Sequence, residues 1–278
     1  MNALAASLFV HPASYAGPVR VLGGGVRACT HLARMNIPGL PLACVKAFPI
    51  SAGQGLFNEI GGFVLARSAG LDVAGGGILP VPLSTVESLF PQAQFPGVAF
   101  ASQNGMVECF VSSPVCDTYG AMSANIYQTA DGKPSAIAAL LMRWDQFGRL
   151  LAFDQWIGNH DRNDGNVLIG PGCRPLPIDH SDCFWGPDFF DGIHDQPLAW
   201  TCMKAMYHLP EPSRWPPNLR SAILQECDRW VSVYARAHAE IAQLREWLPE
   251  PIGLRWMHWL WKRSEITRDL WAERLAML

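Results

Sequence analysis

Apolar positions change their period near residue 112, dividing the chain into a β-like part and a helical part. Over residues 1–100, short apolar runs are broken by glycine and proline. PVRVL-GGG-VRACTHL reads as strand, tight turn, strand, and LACVKAF as a third strand. In GQGLFNEIGGFVLARSAGL, residues 53–71, Leu56, Ile60, Phe63 and Val64 recur at roughly helical spacing, followed by Ala66 or Arg67. Asn58 and Glu59 fall on this element. Gly61 and Gly62 lie inside it, where each costs about 1 kcal/mol relative to alanine. Either the helix kinks there or something packs closely against it. Residues 78–111 alternate apolar segments with prolines and read as two more strands and a connection.

The second part is helical in character. Residues 136–158 have helical periodicity and no proline, and they lead into the polar loop NHDRNDGN, whose Asn163, Asp164 and Gly165 are turn residues. VLIG and LPI read as short strands. Residues 218–248 form one long amphipathic helix or two shorter ones, and 253–278 another, punctuated by prolines at 210, 212, 216, 217, 249 and 251. This order predicts an α+β protein with a small β-rich unit over 1–111 and a larger helical unit over 112–278.

Composition narrows the class. A chain of 278 residues with 49% hydrophobic and 16% charged residues builds a large core and is wrong for disorder. Net charge is −3 with no run of Lys or Arg, so no nucleic-acid partner is expected. The eight cysteines include no C-x-x-C pair and read as reduced core thiols. Cys173, His180 and Cys183 lie close together, but their spacing fits no common zinc module, and ordinary burial is the reading. The first residues lack a basic segment, their apolar stretch is broken by His11 and Pro12, and no stretch has membrane-spanning length. A cytoplasmic location without a membrane span is expected.

The most informative segment is FDQWIGNHDRNDGNVLIGPGCRPLPIDHSDCF, residues 153–184. Asp161 is followed five residues later by Asn166 and thirteen after that by Asp179. Asn166 and Asp179 flank short apolar strands, and two strands joined by a turn present both side chains on one side. Phosphoryl transfer asks for this inventory. Catalysis there is mainly positioning and charge neutralisation. Mg²⁺ takes hard oxygen ligands, and an Asp must orient the acceptor hydroxyl and take its proton. The protein-kinase pattern has a loop Asp, an Asn five residues on and a later metal-binding Asp. NDGN alone is a plain turn signal; the I-D-H after a strand adds weight. Lys46 on its apolar strand precedes Glu59 by thirteen residues, the types and order of the pair that grips ATP phosphates in kinases. A lysine in an apolar strand is costly unless paired; an edge strand is the alternative. Gly23, Gly24 and Gly25 allow close backbone approach to phosphate, or they form a simple hairpin turn.

GGG at 23–25, VK at 45–46, NE followed by LAR at 58–67, GNHDRNDGN at 158–166 and IDHSDCF at 178–184 together resemble the HipA-like kinases, in particular a compact bacterial subgroup. Phosphoinositide kinases share the style more distantly. The resemblance runs in order over about residues 20–185. It implies a two-lobed protein-kinase-like fold with ATP and Mg²⁺ in the cleft. Asp161 matches the catalytic Asp, Asn166 and Asp179 the metal ligands, Lys46 the phosphate-binding lysine, Glu59 its partner, and Gly23 to Gly25 the phosphate loop. The longer toxins of the family carry an extra N-terminal subdomain, which is not expected here because the glycines come so early in the sequence. Their loop serine is also missing here, Thr30 being the nearest hydroxyl, so loop autophosphorylation is not expected. His160 and His180 are expected in structural roles, and the adenine-contacting hinge within 101–118.

Three readings of the activity follow. The first is a kinase acting on a protein Ser/Thr. The second is a small-molecule or lipid-headgroup kinase, which the missing basic surface motif disfavours for lipid. The third is a nucleotide-binding pseudokinase serving as an interaction module. An antitoxin-like or regulatory protein partner is left open. Trp256, Trp259 and Trp261 cluster in RWMHWLWKR, where core packing is the expectation and an exposed aromatic patch the alternative.

Overall fold

The computed structural model describes residues 8–22, 28–113, 141–162, 166–170, 174–184, 186 and 212–276. Gly23, Gly24, Gly25 and Cys173 lie outside them, as do residues 114–118 of the expected hinge.

Five strands pair antiparallel in the order β1-β2-β3-β5-β4: β1 Tyr15–Leu22, β2 Cys29–Ile37, β3 Leu40–Ala47, β4 Gly76–Pro82 and β5 Met106–Ser112. Lys46 is therefore on a central strand bonded on both sides, which removes the edge-strand alternative. Along β3, Ala43, Val45 and Ala47 are buried, while Leu42, Cys44 and Lys46 are only half-buried. This period-2 pattern gives the sheet two different faces. One face packs on Val86 and Phe90, on and just after the short helix α2 (Leu83–Leu89), a connection that the alternating prolines hid. The other face, through Ile78 and Phe110, joins the larger core of the helical part.

Helix α1 (Gly55–Ser68) lies between them. It is buried on nearly every side, including Phe57, Ile60, Phe63, Val64, Leu65 and Ala66. A helix apolar all round needs neighbours all round. Phe63 meets Phe110 of the sheet edge-on at 5.9 Å, and Phe57 meets Trp256 at 5.1 Å. The helix is continuous through its two glycines. A Cβ on Gly62 would stand 2.3 Å from the His180 Cβ, and one on Gly61 3.1 Å from the Phe184 ring. Close packing, not a kink, is the reason for both.

In the second part, the helical expectation over 136–158 is met by residues 141–143 and by α3 (Phe147–Ile157), while residues 136–140 lie outside the described residues. The chain turns at residues 144–146, where the Gln146 side-chain oxygen accepts from the Asp72 N–H at 3.0 Å. Gly158 takes the left-handed conformation (φ 64°) that ends α3. The buried Arg263 guanidinium donates to the Gln155 and Trp156 carbonyls of its last turn. A two-stranded ribbon follows, β6 Val167–Gly170 and β7 Arg174–Pro177. Residues 218–248 supply three helices, α4 Pro217–Cys227, α5 Trp230–Arg236 and α6 His238–Arg245, and α7 spans Glu250–Arg274. Trp156 stacks on Trp230 at 5.2 Å and donates its indole N–H to the Leu260 carbonyl at 3.0 Å. Trp256 and Trp259 are buried and Trp261 packs on Tyr234 at 5.3 Å, so the cluster belongs to the core rather than to a docking patch. The result is a two-lobed α+β fold of the protein-kinase type.

Replacing Gly62 with alanine tests the packing. Helix propensity would favour alanine by about 1 kcal/mol, but overpacking costs about 1–3 kcal/mol. Urea unfolding of Gly62→Ala is expected to show a net loss of stability; a gain would mean that His180 does not press on the helix.

Candidate active site

The loop after α3 is organised by one buried cation. Asp154 and Arg162 are both buried, and an isolated charge there is very costly. They meet as a two-pronged pair: Arg162 Nε donates to Asp154 Oδ2 at 2.9 Å and Nη2 to Oδ1 at 3.1 Å. The remaining nitrogen, Nη1, donates to the Asn166 carbonyl at 2.8 Å and to the Ile178 carbonyl. One planar side chain thus ties α3 to the residue before β6 and the residue after β7, a geometry that suits Arg and not Lys. Asn159 completes the loop, donating to Asp154 Oδ1 at 3.2 Å and accepting from the Asp161 N–H at 3.2 Å. Asn166 Nδ2 donates to the Asp161 carbonyl at 2.8 Å. The Ile178 N–H donates to the Asn166 carbonyl at 3.0 Å, extending the ribbon and setting Asp179 next to it. Asp161, Asn166 and Asp179 are so gathered on one connected frame.

Lys46 reaches this frame from the sheet. Its Nζ lies 3.2 Å from Glu59 Oε2 on α1 and 3.2 Å from Asp179 Oδ1. Burial works against the ammonium, but the two carboxylates outweigh it and hold its pKa above the usual lysine range. The two acids divide their roles by exposure: the Glu59 side chain is 2% exposed and that of Asp179 34%. Burial pushes Glu59 up to about 7 against the pull of Lys46, with the Asp179 charge adding to the rise. Asp179 is desolvated too, but Lys46 and the Ser181 hydroxyl, which donates to Oδ1 at 2.7 Å, hold it well below the usual carboxylate range. Asp179 also adopts a left-handed backbone (φ 57°), which Asp tolerates better than most residues. Phe184 does the same at φ 56°, a strained state for a bulky residue, held among Phe57, Trp256 and Trp259.

All five described candidates therefore meet: Lys46, Glu59, Asp161, Asn166 and Asp179. The glycines lie outside the described residues, but the strands flanking them close with Leu22 opposite Thr30, and Thr30 is opposite Lys46. His160 Nε2 stands 3.8 Å from Asp182 Oδ1. His180 is buried, held neutral by desolvation and the nearby Arg162 and Lys46 charges, and serves packing. The Cys183 thiol donates to the Asn58 carbonyl at 3.2 Å and burial keeps it protonated. Asp154 and Arg162 were missed as a pair by the sequence reading. A lone acid inside the apolar run of α3 was the signal, since a buried charge needs a partner.

A carboxylate and an amide oxygen are the hard donors that Mg²⁺ takes. Asp179 is partly exposed and held ionised by Lys46 and Ser181, and Asn166 has its Nδ2 engaged by the Asp161 carbonyl. No group of three or more His, Cys, Asp or Glu among the described residues has the makings of a metal site. Mg²⁺ in such a site shares its shell with substrate phosphates and water.

No protein-family model matches the chain, and no curated protein does. Among solved structures it is similar to the crystal structure of the Helicobacter pylori proinflammatory kinase CtkA, with a TM-score of 0.53 and 14% identity over 92% of this chain and 94% of that one. That likeness shows the fold.

Glu59 gives the site a pH signature. Folded, it keeps its proton up to about pH 7; an unfolded glutamate releases it near about 4.3. Between these values only the folded chain holds the proton, so stability falls as pH rises through that window. Asp179 acts oppositely: its depressed pKa contributes stability above the ordinary carboxylate range, lost as pH falls below it. Glu59→Gln removes the first contribution. Its stability in urea is expected to vary less than wild type between about pH 5 and about pH 7; an unchanged slope contradicts the assignment.

Proposed function

We propose that the chain is an ATP-dependent phosphotransferase of the HipA-like type, moving the γ-phosphate to a hydroxyl acceptor, with a protein Ser/Thr as the acceptor class. The observation that carries this reading is Lys46 Nζ at 3.2 Å from both Glu59 and Asp179, on the frame that holds Asp161 and Asn166. A fold likeness to a kinase supports it.

In this reading the glycine segment Gly23–Gly25 covers the phosphates and Lys46 grips them, oriented by Glu59. Asn166 and Asp179 would hold Mg²⁺, which would supply charge neutralisation at the phosphates. Asp161 accepts the proton of the acceptor hydroxyl while the hydroxyl oxygen forms the new bond to the γ-phosphorus. The bond from that phosphorus to the β-phosphate oxygen breaks, and ADP leaves. The lobes divide at about residues 111 and 112. The intact acid, amide and lysine set favours an active enzyme over a pseudokinase.

The test is transfer from γ-labelled ATP with Mg²⁺, using purified protein with cell lysate. Wild type is expected to label an acceptor, Asp161→Ala to lose about 10²–10⁴-fold in rate, and Asp179→Ala to lose transfer. Label in a protein band that survives acid but is released by strong alkali, as a phosphoserine or phosphothreonine ester is, supports the Ser/Thr acceptor, whereas label in small molecules or lipid overturns that part. ATP-dependent thermal stabilisation without any transfer would make the chain a nucleotide-gated binding module.

A further inference from the structure

In many two-lobed folds the helix bearing the lysine's acidic partner belongs to the mobile small lobe. Here α1 is bonded to the opposite side of the cleft. Asn58, adjacent to Glu59, is fully buried, and its Nδ2 donates to two backbone carbonyls, those of Ser181 and Cys183, each at 3.0 Å. Two acceptors at one end of the amide require the nitrogen there, and an Asp in its place would set charge against both oxygens. The Cys183 thiol returns a bond to the Asn58 carbonyl at 3.2 Å, and the His180 N–H donates to Glu59 Oε2 at 3.2 Å. One helical turn on, Gly61 and Gly62 admit Phe184 and His180. Every contact in this set joins α1 to residues 180–184, directly after Asp179.

We infer that Asn58 is a positioning residue that locks α1 to the segment following Asp179, so that the Lys46–Glu59 pair is assembled before any nucleotide or activating partner arrives. This rests on the proposed kinase reading for its catalytic meaning and on geometry alone for the lock. It touches no reacting atom: it holds Glu59, which holds Lys46. The consequence is that swinging of α1 is not the on-off control of this site.

The experiment uses the full chain without nucleotide, so its outcome is separate from whether the wild type transfers phosphate. Asn58→Ala is compared with wild type by amide hydrogen exchange and by acetylation of Lys46 with a succinimidyl ester, read by mass spectrometry with Lys262, on the distant helix α7, as internal control. Losing two buried donors is expected to speed exchange across 55–68 by about 10–100-fold. Acetylation of Lys46 is expected to rise about tenfold while Lys262 is unchanged, because an unpaired lysine loses the carboxylates that hold its proton. In the transfer assay kcat is expected to fall about a hundredfold from misplacement of Lys46. Unchanged exchange over 55–68 and unchanged Lys46 acetylation in folded Asn58→Ala overturn the inference. Should that variant not fold, the wild-type exchange profile decides: protection of α1 matching α3 supports the lock, and protection matching β1 and β2 overturns it.

Discussion

The buried pair of Arg162 and Asp154 is the constraint on which the cleft depends. Neither charge is tolerable in that interior without the other, and removing one partner of such a pair typically costs about 3–5 kcal/mol. A hydrophobic replacement of both would fill the same space at little cost in stability, so the pair is better understood through what else the guanidinium does. It spends its last nitrogen on the Asn166 and Ile178 carbonyls. These are the backbone positions at which the ribbon presents Asn166 and Asp179. A neutral core could be equally stable and would leave both strands without a common anchor.

The second organising element is α1, which serves both lobes. Its Phe63 packs on the sheet and its Phe57 on α7, while Glu59 receives Lys46 from one side and the His180 N–H from the other. The charge balance follows from this placement. Two acids face one ammonium: burial raises the pKa of Glu59, while Lys46 and Ser181 hold the partly exposed Asp179 ionised. The anion is therefore left where a cation can reach it. The strained backbone at Asp179 and Phe184 is tolerable because the surrounding bonds and rings determine it on all sides.

Much of the site was legible because its chemistry is local in sequence. Asp161, Asn166 and Asp179 are separated only by a turn and a hairpin, and Lys46 stood out as a charge in an apolar strand. The strands were legible by their runs, though β2 extends to Ile37 beyond the expected VRACTHL. What escaped was set by distant packing. Nothing near Gly61 and Gly62 in the chain announces His180 and Phe184, so kink and close approach were equal readings. Asn58 looks like any polar residue on a helix until the carbonyls of Ser181 and Cys183 are seen beside it. The break before α3 depends on Gln146 meeting Asp72, and the division of 218–248 into three helices leaves no proline or glycine mark.

The most direct measurement is a crystal structure of the full chain with Mg²⁺ and a non-hydrolysable ATP analogue. The nucleotide is expected in the cleft, with Lys46 on its phosphates and a metal at about 2.0–2.1 Å from oxygens of Asp179 and Asn166. A nucleotide bound elsewhere, or bound in the cleft with its metal away from Asp179 and Asn166, would mean that these residues are not the phosphotransfer site.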